Sequence, residues 1–408
     1  MLVETAMRYD LPSHMFFGEE PIPIEIPDTW DVSVARMQGA DAPRLTDDQL
    51  RHELSRPVGA APIRDGARGA SSAVILFDDM TRGTPAHDVV PGVLDELHAA
   101  GVPDDRIWFM AGVGLHRALT RYDYEKKLGT AVVDRYPVYS HNPFYNFERV
   151  GVGRHGTPIE INADVMAADY KVSIGSVVPH PFTRFGGAGK IILPGVSSAE
   201  TIRRNHTLGP KAPRAGEHHG NIVREEIDDA ARLAGLDFVV NGLVNERSEI
   251  CAVHCGEPIA AFERATEAGR EHYRTPRVED ADVVVANNYF KGSEPGLGLN
   301  PGAIASLREG GTFVLSANSP EGAAPHYLNG RWGFNEMGGF TWKRDRPKPD
   351  GCGTFIVFSR YPDLGALNWY ARKEDVVWAR SWSDVLARLG SCPGRAVIYP
   401  DAAIQIIE

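Results

Sequence analysis

Residues 72–111 read SAVILFDDMTRGTPAHDVVPGVLDELHAAGVPDDRIWFMA. The apolar run 72–77, closed by a polar turn, predicts a buried strand. A helix over 89–100 follows and stops at Gly101, and a second apolar run at 107–111 predicts the next strand. Strand, helix and strand in that order make a βαβ unit, which implies parallel pairing and an α/β fold.

Outward from this unit the alternation continues. A helix is expected over 122–129, a proline-containing stretch over 136–144, a hairpin around 151–161 and a strand over 170–178. Upstream, residues 1–30 offer short strand candidates such as 22–26, broken by prolines. Residues 38–68 are rich in charge, Pro and Gly, with a helix around 47–55. Downstream come an amphipathic helix over 222–234, a strand over 236–244 and a helix over 258–272 that leads to Thr275-Pro276. There a fresh α/β pattern begins: strands 281–286, 312–316, 354–358 and 396–399, with helices 301–308 and 383–389. The chain of 408 residues exceeds the usual size of one hydrophobic core. We therefore expect two α/β domains, residues 1–274 and 275–408.

Composition narrows the function. Hydrophobic residues at 43% and charged residues at 24% are ordinary globular values. A formal net charge of -11 argues against a general nucleic-acid binder, while Arg203-Arg204 remains a local basic patch for a small anion. The four cysteines are too scattered for a disulfide framework. No apolar run reaches membrane-spanning length, and a soluble, cytoplasmic protein is expected.

Three constellations carry chemistry. Asp78 to Pro85 (DDMTRGTP) directly follows the first strand, where ligands bind in parallel sheets. Thr81, Arg82 and Thr84 supply donors for a phosphate; the plainer reading is a polar turn that caps the next helix. Gly112 to Arg117 (GVGLHR) places His116 just past the second strand, as a proton-transfer group or a structural imidazole. Ser173 to His206 then reads SIGSVVPHPFTRFGGAGKIILPGVSSAETIRRNH. Here His180 follows a strand, a turn of Gly186, Gly187 and Gly189 leads into Lys190, and a second apolar run ends at Pro194-Gly195. A helix then carries His206, giving an apparent strand–turn–strand–helix unit. His180 suits acid or base work, Lys190 a phosphate, a base role or covalent attachment, and His206 a metal. A Walker loop is rejected, because GGAGK lacks the spacing and the following Ser or Thr.

DDMTRGTP, GVGLHR, GTPIEINADVMAADYKVSIGSVVPH and GGAGKIILPG followed by NH resemble, in order and spacing, the nickel-pincer-dependent lactate racemase family. The resemblance spans most of residues 70–320. It implies two α/β domains, each with a parallel or mixed sheet, and an active site in the cleft between them. It also implies a nickel-pincer nucleotide (the pyridinium-3,5-bisthiocarboxylic acid mononucleotide nickel complex) attached covalently to Lys190, with His206 completing the metal's coordination. His116 and His180 match the two acid/base histidines, and Asp79, Thr81 and Arg82 fall in the segment that holds the cofactor phosphate. The implied activity is racemisation or epimerisation of a 2-hydroxy acid. The resemblance further implies reversible hydride transfer and a cofactor built by separate biosynthesis proteins. Net oxidoreduction on the same scaffold, or a non-catalytic binding protein, are the alternatives.

Two departures bear on the substrate. The glycine turn reads RFGGAGK where the family has GFSGGRK, so Arg184 becomes a candidate for a second carboxylate or a bulkier polar group. Asn287 to Pro295 (NNYFKGSEP) lacks the family's second-domain lysine, and Tyr289 and Lys291 are the substitutes at hand. Cys251 and Cys255, with His254 between them, do not have a usual zinc spacing. Trp332, Phe334, Phe340 and Trp342 are expected in the second domain's core or at the substrate pocket, and His218-His219 in an exposed loop.

Overall fold

The computed structural model describes residues 6–13, 15–18, 20–209, 220–328, 347–363, 370–389 and 394–408. The aromatic series 332–342 and His218-His219 lie outside the described residues. The chain divides into two compact units. One comprises Ala42–Arg270 and a segment that begins at Pro325; the other combines Met1–Asp41, Glu271–Ala324 and the C-terminal segment through Glu408.

The first unit is built on a six-stranded sheet. From one edge the order is Ile250–Gly256, Phe238–Val244, Tyr170–Ser176, Ala73–Asp78, Ile107–Gly112 and Val138–Ser140. All neighbours pair in parallel except Ile250–Gly256, which folds back antiparallel on Phe238–Val244. The central strand Ala73–Asp78 is buried over its first five residues, as a strand covered on both faces must be. Chain order runs to one side from this strand and to the other from Tyr170–Ser176. The switch point of the sheet therefore lies between their carboxyl ends, where open α/β sheets bind ligands. The hairpin expected around 151–161 is present as Phe147–Val152 and Pro158–Asn162.

The second unit is a six-stranded, all-parallel sheet ordered Val377–Ala379, Thr354–Phe358, Leu307–Ser316, Ala281–Asn287, Arg395–Tyr399 and Asp31–Val34. Its outermost strand comes from the N-terminus. The hairpin Ala6–Leu11 with Ile22–Pro27 buries Leu11, Ile22, Ile24 and Ile26 in the same core. The units thus differ from a division into 1–274 and 275–408: residues 1–41 go with the C-terminal sheet, and the segment that begins at Pro325 goes with the first unit. The helix expected over 301–308 is shorter, Pro301–Ala305, because the chain enters the strand Leu307–Ser316 directly after it. Among the described residues no helix is long and apolar enough to cross a membrane.

Candidate active site

At the carboxyl edge of the first unit's sheet, register aligns Asp78 with Gly112 and Phe77 with Ile174. The segments that follow these three strands therefore emerge side by side. They line a cavity of about 740 Å³, counted with its solvent-open mouth, that contains Asp79, Thr81, Arg82, His116, Lys190 and His206. A smaller adjoining hollow shares Lys190, Pro194 and His206 and adds His180.

The DDMTRGTP turn is held from beneath. Lys127, fully buried on the helix Arg121–Leu128, donates to Asp78 Oδ1 at 2.6 Å and to the carbonyls of Arg82 and Thr84 at 2.9 and 3.0 Å. Thr84 Oγ1 lies 2.6 Å from Asp78 Oδ2 and 2.9 Å from Ser176 Oγ, tying the turn to the neighbouring strand. Burial pushes the Asp78 carboxyl up, and Lys127 opposes it. Asp79 takes the other course. Burial alone would raise it, but His116 above all, with Arg82 and Thr81, holds it well below the usual carboxylate range. Its Oδ2 is 2.7 Å from His116 Nδ1, and its Oδ1 accepts from the Thr81 backbone N–H at 3.0 Å. A carboxylate on Nδ1 leaves Nε2 as the nitrogen that exchanges protons.

The glycine turn brings backbone close to the cavity. Gly187 has φ +90°, and a Cβ there would lie 2.6 Å from Val177 Cγ2, so only glycine fits. Asn241 Oδ1 accepts from Ala188 N–H at 3.1 Å, and the buried Arg224, stacked over Phe262, donates to the Gly187 carbonyl at 3.3 Å. The apolar run after Lys190 is not the expected strand. Residues 188–191 form a 3-10 turn and the chain keeps turning through Gly195, where a Cβ would come within 2.1 Å of the Ile191 carbonyl. This coil sets Lys190 Nζ 2.9 Å from His180 Nε2. His180 Nδ1 lies 3.2 Å from Thr183 Oγ1, and His180 pairs in register with Arg184, whose φ is +66°. Burial, then Arg270, lowers the Arg184 guanidinium.

His206 closes the helix Ala199–His206, capped by Ser198. Burial first, then Lys190 and His116, lowers it to about 3, so its imidazole is neutral at physiological pH. Arg203 and Arg204 are not an open anion site: both pair with Glu200, at 2.7 and 2.8 Å. Tyr289 and Lys291 are buried in the other unit, where Lys291 Nζ donates to the Ala403 carbonyl at 3.3 Å. Cys251 and Cys255 flank His254 on an edge strand. Burial pushes their thiols up to about 11 and about 12, as for structural cysteines.

Sequence reasoning missed His326. It lines the cavity with its ring centroid 5.0 Å from that of His116 and 6.4 Å from that of His206. Burial, then His116 and His206, pushes its pKa well below the histidine range. Lys127, Arg224 and Asn241 were missed as well. None has a local signature, since each reaches the site from a distant part of the chain. Among the described residues no group of three or more His, Cys, Asp or Glu side chains is arranged to hold a metal ion.

A switch-point cavity with a phosphate-suited turn, a lysine and three imidazoles, and a fourth imidazole in the hollow beside it, is an α/β site that can hold a small ligand and exchange protons with it. Residues 17–217 match the lactate racemase N-terminal domain family. The lactate racemase of Lactiplantibacillus plantarum is 29% identical over 289 residues, 67% of this chain and 66% of that protein, just under two thirds of its length. That of Thermoanaerobacterium thermosaccharolyticum is 26% identical over 319 residues, 75% of this chain and 74% of the relative. The fold matches the lactate racemase apoprotein from the latter organism with a TM-score of 0.74 at 20% identity, covering 98% of this chain and 100% of that one. A structural-genomics protein from Thermotoga maritima matches with a TM-score of 0.67 at 16% identity, over 90% of this chain and 99% of that one.

Proposed function

We propose that the protein is a cytoplasmic racemase or epimerase of a 2-hydroxy acid that works with a nickel-pincer nucleotide bound at Lys190. The observation that carries the reading is the pair of histidines, His116 and His180, each just past a parallel strand, in adjoining hollows that share Lys190 and His206. The names of the relatives support racemisation as the reaction class.

The residues present fit the cofactor. Arg82 offers its guanidinium to the phosphate, and Gly186, Gly187 and Gly189 allow close backbone approach; Thr81 donates both its N–H and its hydroxyl to Asp79 and so shapes the turn. Lys190 supplies the amine for attachment, beside the His180 imidazole at 2.9 Å. His206, kept neutral by burial, has the protonation state that a metal ligand needs. When bound at these residues, the cofactor would supply a reversible hydride acceptor for C2. The protein's own groups move the proton. With Nδ1 held by Asp79, His116 takes the C2 hydroxyl proton at Nε2 and gives it back. His180 does the same for the mirror-image substrate, since inversion needs a base for each configuration.

The test uses protein made together with the cofactor-building proteins. Intact mass should show an adduct on Lys190, and a single enantiomer deuterated at C2 should yield both enantiomers without an external redox partner. An unmodified chain under these conditions, or steady accumulation of 2-keto product, refutes the reading.

A further inference from the structure

His326 is the cavity imidazole that this scheme leaves unused. An antiparallel bridge pairs it with His116, and Tyr327 N–H donates to the Leu115 carbonyl at 2.9 Å, so backbone fixes it beside the proposed base. The ring is half-buried and meets His116 edge to face, at an interplanar angle of 71°. Leu328 N–H donates to His326 Nδ1 at 3.2 Å. A nitrogen that accepts carries no hydrogen, so the ring proton of the neutral imidazole resides on Nε2. Among the described residues the His326 side chain hydrogen-bonds through Nδ1 alone, which leaves Nε2–H as a donor for a ligand.

The charges on this wall select the acceptor. Asp79 stands 2.7 Å behind His116, so an anionic group brought to His326 would approach a carboxylate. The nearest cation on the same turn, Arg82, is assigned to the cofactor phosphate. A neutral hydroxyl meets no such conflict. With the C2 hydroxyl at His116, a donor whose ring centroid lies 5.0 Å from that base is within reach of a group on an adjoining carbon.

We propose that His326 is a specificity-determining residue that donates Nε2–H to a hydroxyl on C3, so that the site prefers 2,3-dihydroxy acids over unsubstituted 2-hydroxy acids. The inference takes from the proposed function only the placement of the C2 hydroxyl at His116. The probes are lactate and 2,3-dihydroxypropanoate, with kcat/KM measured on cofactor-loaded protein and Kd by calorimetry on the same preparation. Wild type should favour the dihydroxy acid. His326→Phe should cut that preference about tenfold through KM and Kd, the scale of one neutral hydrogen bond. His326→Gln, which returns an N–H near the Nε2 position, should restore most of it. Wild type with no preference overturns the inference, whether or not the variants fold. So does an equal loss on both acids in His326→Phe, which would mean that His326 only supports His116. Preferential binding of the dihydroxy acid with neither acid interconverted would sink the racemase reading and keep this one. Racemisation without preference would do the reverse.

Discussion

Lys127→Met should destabilise the protein by about 3–5 kcal/mol at pH 8, the cost of breaking one side of a buried ion pair. Met has a stem of similar length, so packing is preserved and the ammonium alone is lost. That ammonium is fully buried and serves Asp78 at 2.6 Å and the carbonyls of Arg82 and Thr84 at 2.9 and 3.0 Å. Asp78 limits the damage. Burial already raises its carboxyl and Lys127 is the main opposing influence, so without Lys127 it rises further and takes up a proton. An acid whose folded pKa lies above its unfolded value loses stability as pH rises through that interval. The gap between wild type and variant should therefore be widest at pH 8 and narrow towards pH 4.5. Urea unfolding at both pH values, followed by tryptophan fluorescence, measures it. A loss below about 1 kcal/mol, well short of the buried-pair cost, would refute the reasoning. A gap that does not change with pH would refute it too.

His116→Ala and His180→Ala should each slow racemisation by roughly 10²- to 10⁴-fold in a chiral-chromatography assay, with Lys190 still modified by mass. Asp79→Asn should cost roughly 10- to 100-fold in kcat with little change in KM, since it removes a charge-assisted hydrogen bond from the base rather than a substrate contact. His141 is buried against the Ser197 carbonyl at 2.8 Å, and burial lowers it to about 4. Its neutral form contributes stability above about pH 6.5 that is lost as pH falls towards 4, about 3 kcal/mol in all. His141→Asn should flatten that part of the urea stability profile.

The βαβ unit at 72–111 was legible because short apolar runs and a Gly-stopped helix are local signals. His116 and His180 were legible for a related reason: a histidine just past a buried strand is placed by the sheet, whatever else surrounds it. Residues 191–193 look like a strand and coil instead, because Gly187 and Gly195 admit contacts that no side chain tolerates. Lys127 reads as one more charge on a helix, yet it is the post under the phosphate-suited turn. His326 reads as loop, since its neighbour His116 is far away in sequence. Residues 1–41 looked like a preface to the first domain, because the pairing of Asp31–Val34 with Arg395–Tyr399 leaves no trace in either segment alone.

That last pairing constrains how the protein is made. The strand Asp31–Val34 is translated long before Arg395–Tyr399, its only sheet neighbour among the described residues. At about 5–20 residues per second, the interval is on the order of 20 to 70 s. Ala42–Arg270 carries a whole sheet of its own and has its strands in hand long before then. The nascent N-terminal hairpin must meanwhile keep Leu11, Ile22, Ile24 and Ile26 from other apolar surfaces. Any product that lacks Arg395–Tyr399 would strand this segment, so a loss far downstream would make residues 6–41 the aggregation-prone ones.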